Sequence, residues 1–108
     1  MRLTAEFWIA AYLARLRQYD IPAFIVARGD GTAGAILIKL NTLDGQAKLF
    51  QRSTDPATGA RMWMTLTDSA EAEVDAAITR QSAFDPDLWV VEVEDRAGRH
   101  LLDEPGLD

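Results

Sequence analysis

The sequence of 108 residues contains no cysteine and a single histidine, His100. Without cysteine the chain cannot form disulfides, thiolate zinc sites or iron–sulfur clusters, and it has no cysteine nucleophile. One imidazole supplies little for histidine-based catalysis or for binding transition metals. We therefore expect neither a metal site nor a cofactor.

Basic residues and long apolar runs are also scarce. The chain has 11 Lys and Arg residues against 17 Asp and Glu residues, so its formal net charge is −6. Nucleic acids and anionic membranes are not expected partners, because binding them requires positive charge. No apolar run approaches the roughly 20 residues of a membrane-spanning helix, and no secretory cleavage site follows Met1 and Arg2. Together with the lack of cysteine, these features predict a cytoplasmic protein.

The remaining composition is typical of a globular domain. Hydrophobic residues make up 48% and charged residues 26% of the chain, and the length suits one domain. We expect a single domain over residues 1–108 with a loose C-terminal tail from about residue 103, where Pro105 and Gly106 occur.

Hydrophobic periodicity predicts two helices. The first spans Thr4 to Tyr19, with Thr4 as the N-cap and a broad apolar side. The second follows Asp68 or Ser69 as its cap and ends before the pair Asp85-Pro86.

Alternating and β-branched residues predict five strands, with a short sixth strand after a turn at Gly98. The predicted strands cover residues 22–28, 33–41, 46–52, 61–67, 88–95 and 99–102. The order is therefore α-β-β-β-β-α-β(-β). Short turns favour an antiparallel meander, and two helices on one sheet face would make a two-layer α+β domain. Apolar residues face both ways in the second strand, so we expect a helix, the tail or a partner to cover part of the other face.

The segment from Gly29 to Gly34 matches the spacing G-x-G-x-x-G of dinucleotide-binding loops. Such a loop opens a helix, whose N-terminus binds the pyrophosphate. Here the β-rich run from Ala35 to Leu40 follows instead. The segment therefore predicts a hairpin turn in preference to a phosphate cradle.

Several polar side chains are candidates for a ligand site. Glu92 and Glu94 share one face of the fifth strand. Three interpretations are open: a solvated face with salt bridges, a weak cation site, or a catalytic carboxylate pair. Gln81 falls within the apolar side of the second helix, which predicts a hydrogen-bonded amide or a group lining a small pocket. His100 lies beside the core or faces Glu94, depending on the register of the last hairpin. The candidate pocket residues are Arg28, Arg61, Arg80, Gln81, Glu92 and Glu94.

Surplus apolar residues are candidates for an interface. Phe7 stands among the small residues Ala10, Ala11 and Ala14, on the side of the first helix away from the core, which favours a homodimer formed through this helix. An alternative is that the C-terminal leucines cover this side. On the fourth strand, Trp63 alternates with Met62, Met64 and Leu66, so either Trp63 or the other three residues are exposed to a partner.

Several stretches resemble a known family. They include Arg2-Leu3, the helix around Trp8, Arg28-Gly29-Asp30, Ala33-Gly34-Ala35 with Lys39, Leu43-Asp44-Gly45, and Arg80-Gln81 through Phe84-Asp85-Pro86-Asp87-Leu88-Trp89 to Asp95. The chain resembles, over nearly its whole length, a small uncharacterised proteobacterial family of single-domain proteins, classed as a domain of unknown function. The resemblance implies a stand-alone cytoplasmic protein and brings no activity, cofactor or catalytic residue.

Two functions are consistent with these observations. The first is a small non-enzymatic binding or protein-interaction module, favoured by the lack of catalytic motifs and by the surplus apolar residues. The alternative is a small ligand-binding protein or enzyme that uses carboxylates and arginines. A flat apolar surface would favour the first function, and a polar pocket joining several candidates would favour the second.

Overall fold

The computed structural model describes residues 3–107, so Met1, Arg2 and Asp108 lie outside the described part of the chain. The elements are α1 (Ala5–Arg17), β1 (Ala23–Ala27), β2 (Ile36–Asn41), β3 (Gln46–Thr54), β4 (Arg61–Ala70), α2 (Glu71–Phe84) and β5 (Trp89–Glu94). This order and the α+β class confirm the prediction from sequence.

The five strands form one mixed sheet in the order β1-β5-β2-β3-β4. β5 lies between β1 and β2, antiparallel to β1 and parallel to β2. The other pairs, β2 with β3 and β3 with β4, are antiparallel. The expectation of a wholly antiparallel sheet is therefore wrong at the β2–β5 pair. The physical reason is that β5 buries apolar residues on both faces, which a central position satisfies.

The central position of β5 also explains why residues 99–102 form no strand. Both hydrogen-bonding edges of β5 are occupied, by β1 on one side and β2 on the other. The sixth strand would need one of these edges. Neither of the two hairpin registers considered for His100 therefore forms.

The two helices cover opposite faces of the sheet, so the domain has three layers and the expected two-layer arrangement is wrong. From β2, the side chains of Ile36, Ile38 and Leu40 enter the core beneath α1. Leu37 enters a second core beneath α2, where it meets Val74. Because β2 is apolar on both sides, each face requires its own cover.

The N-terminus of α1 is capped by its own Thr4 and by the glycine-rich segment. The Thr4 hydroxyl accepts a hydrogen bond from the Phe7 amide at 3.2 Å. The amides of Ala5 and Glu6 donate to carbonyls of the segment, those of Thr32 and Gly31. The predicted N-cap is confirmed, and the first turn of the helix has its amides satisfied.

The segment from Gly29 to Gly34 is not a hairpin turn, because β1 and β2 are separated by β5. It crosses the start of β5, and a Cβ at Gly34 would lie 2.5 Å from the Asp87 carbonyl oxygen. Its amides are used within the fold: Asp30 donates to Asp87, and Gly34 donates to Asp30. The glycines therefore permit a close backbone crossing.

Helix α2 starts directly after β4, without a side-chain cap. Asp68 and Ser69, the two expected caps, instead pair with β3 as the end of β4. The Glu71 amide donates to the Gly45 carbonyl at 2.9 Å. Gln81 is exposed, so the expectation of a buried amide is wrong. The helix contacts the sheet through a narrower side than its sequence suggests, centred on Val74.

The C-terminal segment after β5 packs beside α1, over the same face of the sheet. Leu102 and Leu107 are buried in the α1-side core. Polar contacts with α1 and β4 help to hold the segment: Tyr12 Oη donates to the His100 carbonyl (2.7 Å), Trp63 Nε1 donates to the Leu107 carbonyl (2.8 Å) and Arg15 pairs with Glu104 (3.1 Å). The looseness expected from about residue 103 concerns motion and stays a prediction.

Candidate functional site

The six polar candidates do not converge on one site. Arg28 stacks over the Trp89 ring, with its guanidinium carbon 5.6 Å from the ring centroid. Arg80 and Gln81 are exposed on α2. Arg61 lies at the start of β4, whereas Glu92 and Glu94 lie on β5. The structure thus separates the arginines from the carboxylates with which the sequence grouped them.

Glu92 belongs to a polar cluster around Lys39, whose side chain is only 4% exposed. Lys39 Nζ lies 2.7 Å from Glu71 Oε2, 2.7 Å from Asp75 Oδ1 and 3.3 Å from Glu92 Oε1. Asn41 Nδ2 donates to Glu71 Oε2 at 3.0 Å and to Glu92 Oε2 at 3.3 Å. β2 and β5 place the lysine, the amide and one carboxylate on the α2 face, and the first two turns of α2 supply the other carboxylates.

The electrostatics of this cluster keep Lys39 charged. Burial by itself lowers the pKa of Lys39, but hydrogen bonds to Asp75 and Glu71 and the nearby charge of Glu92 raise it above its ordinary value overall. A permanently protonated amine is a poor nucleophile or base. No group of acidic or histidine side chains within residues 3–107 has the geometry of a metal site. The cluster is a structural tie between α2 and the sheet.

The alternation in β5 indicated part of this cluster. Glu92 faces away from Trp89, Val91 and Val93, as predicted, and these three residues lie in the α1-side core. Nothing in the local sequence around Lys39 indicated that its partners would come from α2. Glu71 and Asp75 are one helical turn apart, a spacing that places both on one side of a helix.

A cleft of about 530 Å³ lies between the start of β4 and the C-terminal segment. Its walls combine aromatic and charged side chains: Phe50, Trp63, His100, Arg61, Asp103 and Glu104. It has a volume suited to a small molecule. Among the six polar candidates, Arg61 alone lines this cleft.

His100 is fixed in the wall of this cleft. Its Nδ1 accepts a hydrogen bond from the Leu102 amide at 3.0 Å, and its ring centroid lies 4.8 Å from that of Phe50. Burial lowers the pKa of His100 below its usual value. The neutral ring with Nδ1 as acceptor carries its proton on Nε2, which can donate to a bound group.

The apolar candidates on α1 stay at the surface. Phe7 is 61% exposed, and Ala10, Ala11 and Ala14 are exposed around it. The C-terminal leucines enter the core beside Trp8 instead. The covering of Phe7 by the tail, which the sequence left open, does not occur.

Trp63 turns inward, and its neighbours turn outward. Its ring centroid lies 5.2 Å from that of Trp8, and it packs on the α1-side core. Met62, Met64 and Leu66 are each more than two-fifths exposed. β4 is also an edge strand, paired with β3 alone in the part of the chain that the structure describes. An apolar surface thus accompanies an open row of backbone groups.

The geometry defines a small α/β/α domain that carries an apolar edge strand, a shallow mixed cleft and no converging catalytic group among its described residues. The chain belongs to the DUF1491 family of proteins of unknown function, whose family model matches residues 3–103. The family resemblance expected from the sequence is thereby confirmed. No match was found among curated proteins.

Three solved structures show the same fold. A crystal structure of a DUF1491 family protein from Caulobacter crescentus is 40% identical, with a TM-score of 0.87 and coverage of 96% of this chain and 98% of that one. An NMR structure of a DUF1491 family protein from the same organism is 41% identical, with a TM-score of 0.83 and coverage of 97% and 96%. The solution structure of protein Atu0922 from A. tumefaciens is 28% identical, with a TM-score of 0.75 and coverage of 87% and 86%.

Neither helix of the described chain is long and apolar enough to cross a membrane.

Proposed function

We propose that this protein is a non-enzymatic protein-interaction module whose contact surface is the outer edge of β4. The observation that carries the proposal is the exposure of Met62, Met64 and Leu66 on a strand with one free edge. Exposed apolar groups in a contiguous patch are typical of protein contact sites. Methionine side chains adapt to the shape of a partner and are common on binding surfaces.

The geometry of the edge supports this function. An open edge strand binds an added strand through main-chain hydrogen bonds, and its side chains supply specificity. β4 is 10 residues long, whereas the opposite edge strand, β1, has 5 residues, and each of the two strands contains one register shift. β4 is therefore the better surface for strand addition.

The exposed side of α1 offers a second contact surface. Phe7 is exposed, together with three exposed alanines around it. The homodimer predicted from the sequence would form through this surface. Sedimentation of wild type and Phe7→Glu tests this surface, because a carboxylate there would disrupt a buried contact without touching the core. The proposed module is cytoplasmic, in keeping with its lack of cysteine.

Site-specific photo-crosslinking in a proteobacterial host tests the proposal. A crosslinking amino acid replaces Leu66 on β4, and the matched control places it at Ala76, an exposed position on α2. We expect a discrete protein adduct from position 66, lost when Met64→Glu is added, and none from position 76. Equal adducts at both positions, or none at position 66, would contradict the proposal.

The cleft beside His100 favours a second function, the binding of a small ligand. Arg61, Asp103 and the Nε2–H of His100 offer charges of both signs and a donor beside the Trp63 ring. This arrangement suits a small amphoteric or carboxylate-bearing aromatic molecule.

Nuclear magnetic resonance titration with free amino acids and aromatic carboxylic acids tests this second function. Saturable shifts of the Trp63 indole signal, weakened in Arg61→Gln, would support it. Unchanged spectra at millimolar ligand would exclude binding of these ligand classes. Arg80→Gln, on exposed α2, is the matched control.

A further inference from the structure

The charges along β4 have opposite signs at its two ends. Arg61 is the first residue of the strand, and Asp68 lies near its end. Between them stand the exposed apolar residues Met62, Met64 and Leu66. A strand with this pattern is complementary to a second copy of itself when the two run antiparallel, because each positive end then meets a negative end.

The two charges project from the same face of the sheet. Asp68 pairs with Lys48, which itself pairs with Leu40, a residue of the α1-side core. Arg61 stands two positions before Trp63, which also packs on the α1 side. Side chains two apart on a strand, and those directly opposite across a pair, share a face. Both charges would therefore lie on the same side of a joined sheet.

We infer that a second copy of this chain docks on β4, forming a two-fold antiparallel β4–β4 contact that joins the two sheets into one. The inference rests on the proposed function, since it names the partner of the same edge. Because the bulge residue Leu66 occupies no ladder position of its own, the two-fold axis passes near Met64 and brings Arg61 of each copy beside Asp68 of the other. Each ionic contact thus occurs twice, as in any self-complementary interface.

The existing contacts of Asp68 leave it available for this pairing. Its carboxylate lies 3.9 Å from Lys48 Nζ and is 61% exposed, so it is only weakly held within its own subunit. The net charge of −6 opposes association of two copies in general. Self-docking therefore requires a local positive charge that offsets this repulsion, and Arg61 at the start of β4 provides it.

The contact through β4 is favoured over one through α1. The α1 patch consists of one phenylalanine ring and three alanine methyl groups, with no paired charge among the residues that define it. β4 provides three large apolar side chains together with free backbone groups. The β-bulge of β4 lies opposite Leu49 and Phe50, and Leu66 is its extra residue. On each side of Leu66 several residues keep regular strand pairing and can pair with a second strand.

Charge reversal with rescue tests the inference. Arg61→Asp places like charges together in both symmetric contacts, and so does Asp68→Arg. Each single variant should weaken dimerisation by about tenfold in analytical ultracentrifugation. The double variant Arg61→Asp/Asp68→Arg restores opposite pairs and should return the dissociation constant to within about threefold of wild type.

Two control variants distinguish the β4 contact from a general effect of net charge and from a contact through α1. Arg80→Asp changes the net charge as Arg61→Asp does, but on exposed α2, and should leave dimerisation unchanged. Phe7→Glu should also leave it unchanged. Circular dichroism verifies that each variant is folded, and Met64→Glu provides an independent disruption of the edge if a charge variant fails to fold.

The outcomes distinguish this inference from the broader proposal. A wild type that stays monomeric across micromolar concentrations, a double variant that fails to recover, or a dimer broken by Phe7→Glu would overturn the inference. In the crosslinking experiment, an adduct with another copy of the chain supports both. An adduct with a different protein leaves the interaction module in place and overturns self-docking, and the absence of any adduct overturns both.

Discussion

Replacing Lys39 by methionine tests whether the buried polar cluster ties α2 to the sheet. Methionine keeps most of the volume of the lysine stem, so the cavity it leaves is small. It removes the positive charge from among Glu71, Asp75 and Glu92, whose nearest oxygens lie 2.7, 2.7 and 3.3 Å from Nζ. Three carboxylates then face one another without a cation.

The expected loss follows from burial. Removing one partner of a buried ion pair costs about 3–5 kcal/mol. Glu71 and Asp75 are partly exposed, at 37% and 55%, and solvent screens their repulsion, so we expect the lower end, about 3 kcal/mol. For a chain of this length, such a loss lowers Tm by roughly 10–20 °C.

Urea denaturation and calorimetry measure this effect, with Lys48→Met as the matched control. Lys48 is 46% exposed and 3.9 Å from Asp68, so its replacement should cost less than about 1 kcal/mol. Adding Glu92→Gln to Lys39→Met should recover part of the loss, because Glu92, at 13% exposed, is the most buried of the three carboxylates. A Lys39→Met variant as stable as wild type would refute the structural role of the cluster.

The same cluster predicts an alkaline effect. The pKa of Lys39 is raised above its ordinary value, by contacts that outweigh burial. The stabilisation from this group is therefore complete below the pKa of an unfolded lysine, about 10.4, and is lost as the pH rises through the higher folded value. The stability difference between wild type and Lys39→Met should stay constant from neutral pH to about pH 10 and shrink above it.

Asp95, the metal content and the net charge provide the remaining tests. Changing Asp95 to Ala should lower the free energy of unfolding by about 1–3 kcal/mol in urea denaturation. Hydrogen bonds from the Arg99 side chain and backbone lower the pKa of Asp95 against the effect of burial. The contribution of Asp95 to stability is therefore present above a pH of about 3.9 and is lost as the pH falls through its lower folded pKa. Elemental analysis of untagged protein should find less than one equivalent of zinc, iron or copper, and a full equivalent would contradict the expectation from the missing cysteines. Gel-shift titration should detect no nucleic-acid binding at physiological salt, since the net charge is −6, and salt-sensitive micromolar binding would refute this.

Local features of the fold could be predicted because they depend on nearby residues. The helix α1 follows from its apolar period and from the side-chain cap of Thr4. The turn before β3 follows from Asp44-Gly45, where Gly45 adopts a φ of 87°. Strand alternation correctly separated Glu92 from the apolar residues that face α1. Each of these features is set within about one turn or one strand of sequence.

Strand order could not be predicted in the same way, because it depends on contacts between distant segments. β5 reaches its place between β1 and β2 from more than 45 residues away along the chain. One signal was present: β5 and β2 both carry apolar residues on two faces, a pattern typical of central strands. Because apolar residues on both faces of the sheet need cover, a helix packs on each face. The expected two-layer arrangement is wrong for this reason.

The same distinction explains what the sequence showed of the candidate interaction surface. Alternation along β4 establishes that Trp63 and Met64 point to opposite sides, but it does not determine which side is buried. Contacts with distant residues determine which side is buried. Trp8 on α1 packs against Trp63, and Trp63 Nε1 donates a hydrogen bond to the Leu107 carbonyl at 2.8 Å. An inward Trp63 forces Met62 and Met64 outward along the open edge. The contact surface proposed for this protein is thus a consequence of how its two chain ends pack against the opposite face of β4.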